Sequence, residues 1–194
     1  NAKIAQYIMR QYGGPGGEIG ASMRYLSQRF AMPNRTAAAV LNDVGTEELA
    51  HLEMVSTIVH QLTRNLSMEE IEKSGFGPYY IDHTVGIWPQ AAGGVPFNSC
   101  EFQSKGDPIT DLHEDLAAEQ KARSTYDNIL RVVRDIPEIA DPIKFLRARE
   151  IVHYQRFGEA LRSVQDQLDA KNFYAFNPSF DNPCKAECSS CGQA

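Results

Sequence analysis

Two short stretches repeat one spacing that could hold a metal. In GTEELAHLE, residues 45–53, Glu48 precedes His51 by three positions; in REIVHYQRF, residues 149–157, Glu150 precedes His153 by three. On a helix, residues three apart share a face, so each pair aims a carboxylate and an imidazole the same way. Such donors together suit manganese or iron. One Glu-x-x-His on an amphipathic helix is ordinarily just a solvated face, so the neighbouring elements decide what the pairs mean.

Those elements read as helices. Residues 2–12 form a short amphipathic helix with Ile4 and Ile8 one turn apart, and the GGPGG run at 13–17 interrupts it. EIGASMRYLSQRFAM then reads as a helix with Ile19, Met23, Leu26 and Phe30 on one stripe at helical spacing, ended by Pro33. Asn34 resembles an N-cap for a helix over 35–64, whose buried stripe is Ala37, Leu41, Val44, Val55, Ile58 and Leu62. A short helical piece at SMEEIEKSG opens a segment, 65–110, rich in glycine, proline and aromatics, which holds turns or short strands and no long helix. Two more helices follow, over 109–134 and 139–169, with the turn at Pro137. The YAFNPSFDNP tail has the composition of an arm draped over a surface. The class is therefore all-α: a ferritin-like four-helix bundle of two antiparallel hairpins joined by one long crossover connection. The domain spans 1–175, with 65–110 as the crossover insertion, and 176–194 is a cysteine-containing C-terminal tail.

In a hairpin, residues equidistant from the turn lie level, because both helices rise about 1.5 Å per residue. Glu18 and Glu48 lie 15 residues either side of Pro33. Glu119 and His153 are centred on residue 136, in the Asp135–Pro137 turn. Glu114 would need its turn inside the apolar end of the third long helix, and His113 falls too far from the turn. The level set is Glu18, Glu48, His51, Glu119, Glu150 and His153. One Glu from each of two helices with Glu-x-x-His from each of the other two is the pattern of di-iron and di-manganese bundles, in which carboxylates bridge two ions about 3.5–4 Å apart. Glu47, Glu53, Asp115 and Glu138 read as exposed charges, His60 as a helix-end histidine, and His83 is uninformative. Tyr25, seven residues after Glu18, shares its face and would hydrogen-bond a ligand carboxylate.

Composition bounds the partners. The 194-residue chain has 42% hydrophobic and 23% charged residues and suits one domain. A net charge of −6 disfavours nucleic acid and anionic membrane surfaces. No run approaches the roughly 18 apolar residues of a membrane span. The chain shows no signal peptide, and it begins at Asn1 rather than Met, so some N-terminal sequence is expected to precede it. Cys100 stands alone, while Cys184, Cys188 and Cys191 crowd the tail, one thiol short of a closed zinc site; they read either as inter-subunit disulfides or a shared metal, or as incidental thiols.

The segments GGPGGEIGASMRYLSQRF, GTEELAHLE, DLAAEQKARSTYDNI and REIVHYQRFGEAL resemble, in order, the four helix motifs of the manganese catalase family. With IDHTVGIWPQAAGGVPF and SKGDPITDLHEDLAAEQKAR, the chain looks most similar to the short manganese-catalase-like proteins of bacterial spore coats. The resemblance spans roughly 3–175. It implies disproportionation of hydrogen peroxide to oxygen and water on two manganese ions in a homohexamer, with synthesis in the cytoplasm and deposition in a spore coat beside other coat proteins. By motif it implies five ligands, Glu18, Glu48, His51, Glu119 and His153, with Glu48 and Glu119 bridging and Glu150 as a catalytic proton shuttle beside them. Some family members place Arg before the glutamate of the third long helix, where this chain has Ala118, and the C-terminus is shorter than in the long catalases. The rival expectations are a structural coat protein with little activity and a di-iron ferritin-like oxidase or peroxidase.

Overall fold

The computed structural model describes residues 1–80 and 86–169. His83 and the tail bearing Cys184, Cys188 and Cys191 lie outside the described residues. Among the described residues six α-helices run in order: α1 (Ala2–Gly13), α2 (Glu18–Gln28), α3 (Arg35–Thr63), α4 (Met68–Ser74), α5 (Pro108–Val133) and α6 (Pro137–Asp169). Among the described residues there is no strand, only isolated bridges, Tyr80 with Ile87 and Gln90 with Pro96.

α2 packs along α3 and α5 along α6, and α3 meets α6 between the two hairpins. The start of α3 sits at the end of α6: Asn34 caps α3 by accepting from the Ala37 N–H at 2.8 Å and donates to Gln167 at 2.9 Å. This is the all-α, ferritin-like bundle of two hairpins and one long crossover.

One bundle position is filled by a broken helix. α2 is only 11 residues long beside the 29 of α3. α1 covers the rest of α3, running back from a contact between Asn1 and the Leu62 carbonyl. The break suits its sequence. A Cβ on Gly13 would lie 2.3 Å from the backbone nitrogen of Gln90, so the crossover chain can pass there only against glycine. The break also starts α2 at Glu18, whose carboxylate lies in the first turn, where the helix dipole favours negative charge.

The buried face of α2 differs from the apolar stripe expected. Met23 is 45% and Phe30 80% exposed, and the residues that turn inward are Glu18, Ser22, Arg24, Tyr25 and Gln28. Ile19 and Leu26 are half-buried, while Met23 and, in the 3-10 turn just past α2, Phe30 face outward, because the inner face of this helix is built for polar work. α3 approaches closely at Gly45, where a Cβ would lie 2.9 Å from Leu26 Cγ, and Ser22 Oγ donates to the Gly45 carbonyl at 2.7 Å.

Two apolar clusters fill the bundle. One gathers Ile4, Ile8, Val55, Ile58, Tyr126, Ile143 and Leu146; the other gathers Tyr25, Leu41, Val44, Leu112, Phe157 and Val164. In sequence, Glu48 and His51 fall between Val44 and Val55, and Glu150 and His153 between Leu146 and Phe157. The charged residues thus form a buried layer between two greasy halves.

Candidate metal centre

All six residues of the expected set lie in that layer, each 2% exposed or less. Glu48 stands at its middle. Its Oε2 lies 2.7 Å from His51 Nδ1 and its Oε1 2.8 Å from His153 Nδ1. His51 Nδ1 is also 3.8 Å from Glu18 Oε2 and 3.8 Å from Glu150 Oε1, and His153 Nδ1 is 3.5 Å from Glu119 Oε2. The imidazoles stack with centroids 5.3 Å apart. Donor atoms of Glu48, His51, Glu150 and His153 all fall within 4.8 Å of one another.

Both imidazoles turn Nδ1 inward and Nε2 outward, toward a single carboxylate. Glu47 Oε1 is 3.5 Å from His51 Nε2, and its Oε2 is 3.2 Å from His153 Nε2. Arg149 grips the same carboxylate with two donors, Nε to Oε1 at 2.5 Å and Nη2 to Oε2 at 3.1 Å. The reading of Glu47 as an exposed charge is therefore corrected: it is a half-buried anchor for both histidines. Asp115 is corrected too. It is fully buried, one turn before Glu119 on α5, because the side-chain amide of Gln28, in the orientation that satisfies both its ends, donates to both its oxygens. Glu53 and Glu138 are exposed.

Two tyrosines brace the layer from opposite sides. Tyr25, from α2, donates its hydroxyl to Glu119 on α5, and Tyr126, from α5, donates to Glu18 on α2. Sequence reading found Tyr25 and missed Tyr126, although Tyr126 follows Glu119 by the same seven positions that separate Tyr25 from Glu18. Burial first, then carboxylate charge, raises both hydroxyls well above the ordinary phenol range, so they stay protonated as donors.

The electrostatics describe a site short of positive charge. Burial, then the Glu48 charge, pushes Glu18 up to about 8. Burial works the same way on Glu48, but hydrogen bonds with His153 and His51 outweigh it and hold Glu48 near 2. Burial, with the charges of Glu119, Glu18 and Glu48 behind it, lifts Glu150 well above the carboxylate range. Burial pulls both imidazoles down, yet the carboxylates around them raise each to about 10. The fold therefore keeps this layer near neutral by holding protons.

Two divalent ions would do the same. Glu18, Glu48 and Glu119 are buried carboxylates whose charge two divalent ions would balance, and Glu119 Oε2 and Glu150 Oε1 have no hydrogen-bond partner inside the layer. The donor set fits a metal pair, and metal would displace the protons.

A ferritin-like bundle with a layer of carboxylates and imidazoles at its centre defines a class, and comparison with known proteins narrows it. The chain matches the family model described as manganese containing catalase over residues 1–180, and it belongs to that family. It is 44% identical over 174 residues to Protein CotJC of Bacillus subtilis (strain 168), covering 90% of this chain and 91% of that one. It is 31% identical over 182 residues to a probable manganese catalase of Clostridium acetobutylicum, covering 89% and 76%. Among solved structures it is similar to KatB, a manganese catalase from Anabaena, with a TM-score of 0.75, 30% identity, and coverage of 85% and 74%.

Proposed function

We propose that the chain is a dimanganese catalase that converts hydrogen peroxide to oxygen and water. The observation that carries this reading is Glu48, which turns one oxygen to each histidine at 2.7 and 2.8 Å, an arrangement that suits a carboxylate to be shared by two ions. Glu18, Glu48, His51, Glu119 and His153 would hold the metal, with Glu48 and Glu119 shared. A bound manganese pair supplies the exchange of two electrons. The rest is proton handling. Reducing one peroxide to two waters consumes two protons, and oxidising the next to dioxygen releases two. Glu150 lies as near to His51 as Glu18 does, 3.8 Å, so distance does not set it apart from that ligand. Its chemistry does: a carboxyl that burial keeps protonated can lend and recover a proton.

The likeness to Protein CotJC and to the short spore-coat members supports a working place in a spore coat, and the family resemblance supports a homohexamer with coat proteins as neighbours. Among the described residues no helix is long and apolar enough to cross a membrane.

The test is metal analysis joined to oxygen evolution from peroxide. Manganese bound with oxygen released is expected. Manganese without oxygen points to a structural coat protein, and bound iron to a di-iron oxidase or peroxidase. Glu48→Ala should abolish metal binding, whereas Glu150→Ala should keep the metal and slow turnover.

A further inference from the structure

A cavity of about 190 Å³ opens between α1, α2 and α5, with Arg10, Glu114 and Lys121 at its mouth. A second, of about 10 Å³, room for about one water, touches Glu18, Glu119 and Glu150 in the buried layer. Gly16, Arg24 and Ala118 line both, so the two meet at that point. They lie in line between the surface and the carboxylates, with these three residues between them.

Arg24 at this neck is 4% exposed, and its Nε and Nη1 are buried without a hydrogen-bond partner. A buried guanidinium ordinarily finds a bidentate carboxylate. Here the neighbouring acid, Asp115, is engaged by the Gln28 amide and makes no ion pair with Arg24 within 4.0 Å, and burial raises its carboxyl well above the ordinary carboxylate range. Ala118, across the neck, has no side chain to reach the guanidinium. The free donors thus point to an occupant that arrives from outside, small enough for the inner cavity and rich in lone pairs.

We propose that Arg24 is the selecting group of an entry passage to the metal centre. Its guanidinium binds a small acceptor, peroxide in turnover or an anion such as azide, at the neck between the two cavities. The inference rests on the metal reading above and adds to it the route and the group that governs it.

The experiment uses manganese-loaded wild type, Arg24→Lys, Arg24→Met and Gly16→Phe, with metal content measured first. Gly16 lines both cavities and a Cβ there meets no atom within 4 Å, so a phenylalanine can be placed at the neck without displacing core atoms. Calorimetric titration with azide should show affinity weakened about tenfold in Arg24→Met, the scale of a lost hydrogen bond to a charged group, and weakened less in Arg24→Lys. KM for peroxide should rise more than kcat falls. Gly16→Phe should slow azide association in stopped-flow mixing, and this decides the matter if Arg24→Met does not fold. Manganese content and azide binding indifferent to both positions overturn the inference alone. Wild-type protein without manganese overturns the metal reading itself.

Discussion

Tyr126 on α5 reaches across to α2 and donates its hydroxyl to Glu18. Tyr25 returns the bond from α2 to Glu119 on α5. Each tyrosine belongs to a different apolar cluster, so the charged layer is gripped from both sides by groups fixed in the core. Tyr126→Phe keeps the packing and removes the bond. Partners of this kind set ligand orientation, and manganese affinity should fall roughly 10–100-fold, measured by competition with a chelator. Affinity equal to wild type would mean that the bond positions nothing.

Glu47 is the shared support of His51 and His153, held by Arg149. Glu47→Gln removes the charge facing both Nε2 atoms, so manganese affinity should drop by a similar roughly 10–100-fold. Glu53→Gln, an exposed control two residues beyond His51 on α3, should leave it unchanged. Equal effects at both positions would return Glu47 to the status of a surface charge.

The metal-free protein should lose stability as pH rises. In the fold Glu18 titrates near 8 against 4.5 ordinarily, and His51 and His153 near 10 against 6.5. Each binds its proton more tightly folded than unfolded. Its stabilising contribution is therefore full below the unfolded value and lost as pH climbs through the folded one. Glu48, held near 2, contributes in the opposite sense, and its share is lost only as pH falls from 4.5 toward 2. Tm of chelator-treated protein should thus be highest near about pH 5 and decline toward about pH 9. Manganese-loaded protein should not follow that decline, because metal takes the deprotonated donors. Scanning calorimetry of both forms across this window checks it; a metal-free Tm that rises with pH contradicts it.

Gly45 sets the spacing of α2 and α3. Its Cβ position lies 2.9 Å from Leu26 Cγ and 3.2 Å from Leu26 N, so neither a side chain nor the backbone can yield cheaply. Gly45→Ala should cost about 1–3 kcal/mol, the usual range for overpacking, and should loosen metal binding by parting Glu18 from Glu48. Denaturant unfolding and metal titration read the two effects separately.

Much of this was legible because helices are regular. Two residues equally far from a turn must lie level, and that rule alone drew Glu18 to Glu48 and Glu119 to His153 across the bundle. Asn34 announced the start of α3 by its side chain. Other features escaped for identifiable reasons. Glu47 sits one position from Glu48, about 100° around the helix, and its inward pull comes from Arg149 on another helix, which a one-helix reading does not include. Met23 and Phe30 look like core residues by type, yet the opposite face of α2 carries the chemistry. Asp115 is one turn before Glu119, and Tyr126 mirrors Tyr25; both signals lay in the spacing.

The account stands most directly on where metal sits. Crystals of the manganese-loaded protein, with anomalous diffraction at the manganese edge, should show two peaks about 3.5–4 Å apart, both between Glu48 and the Nδ1 atoms of His51 and His153. A single peak outside this layer, or none in protein that releases oxygen from peroxide, would contradict it.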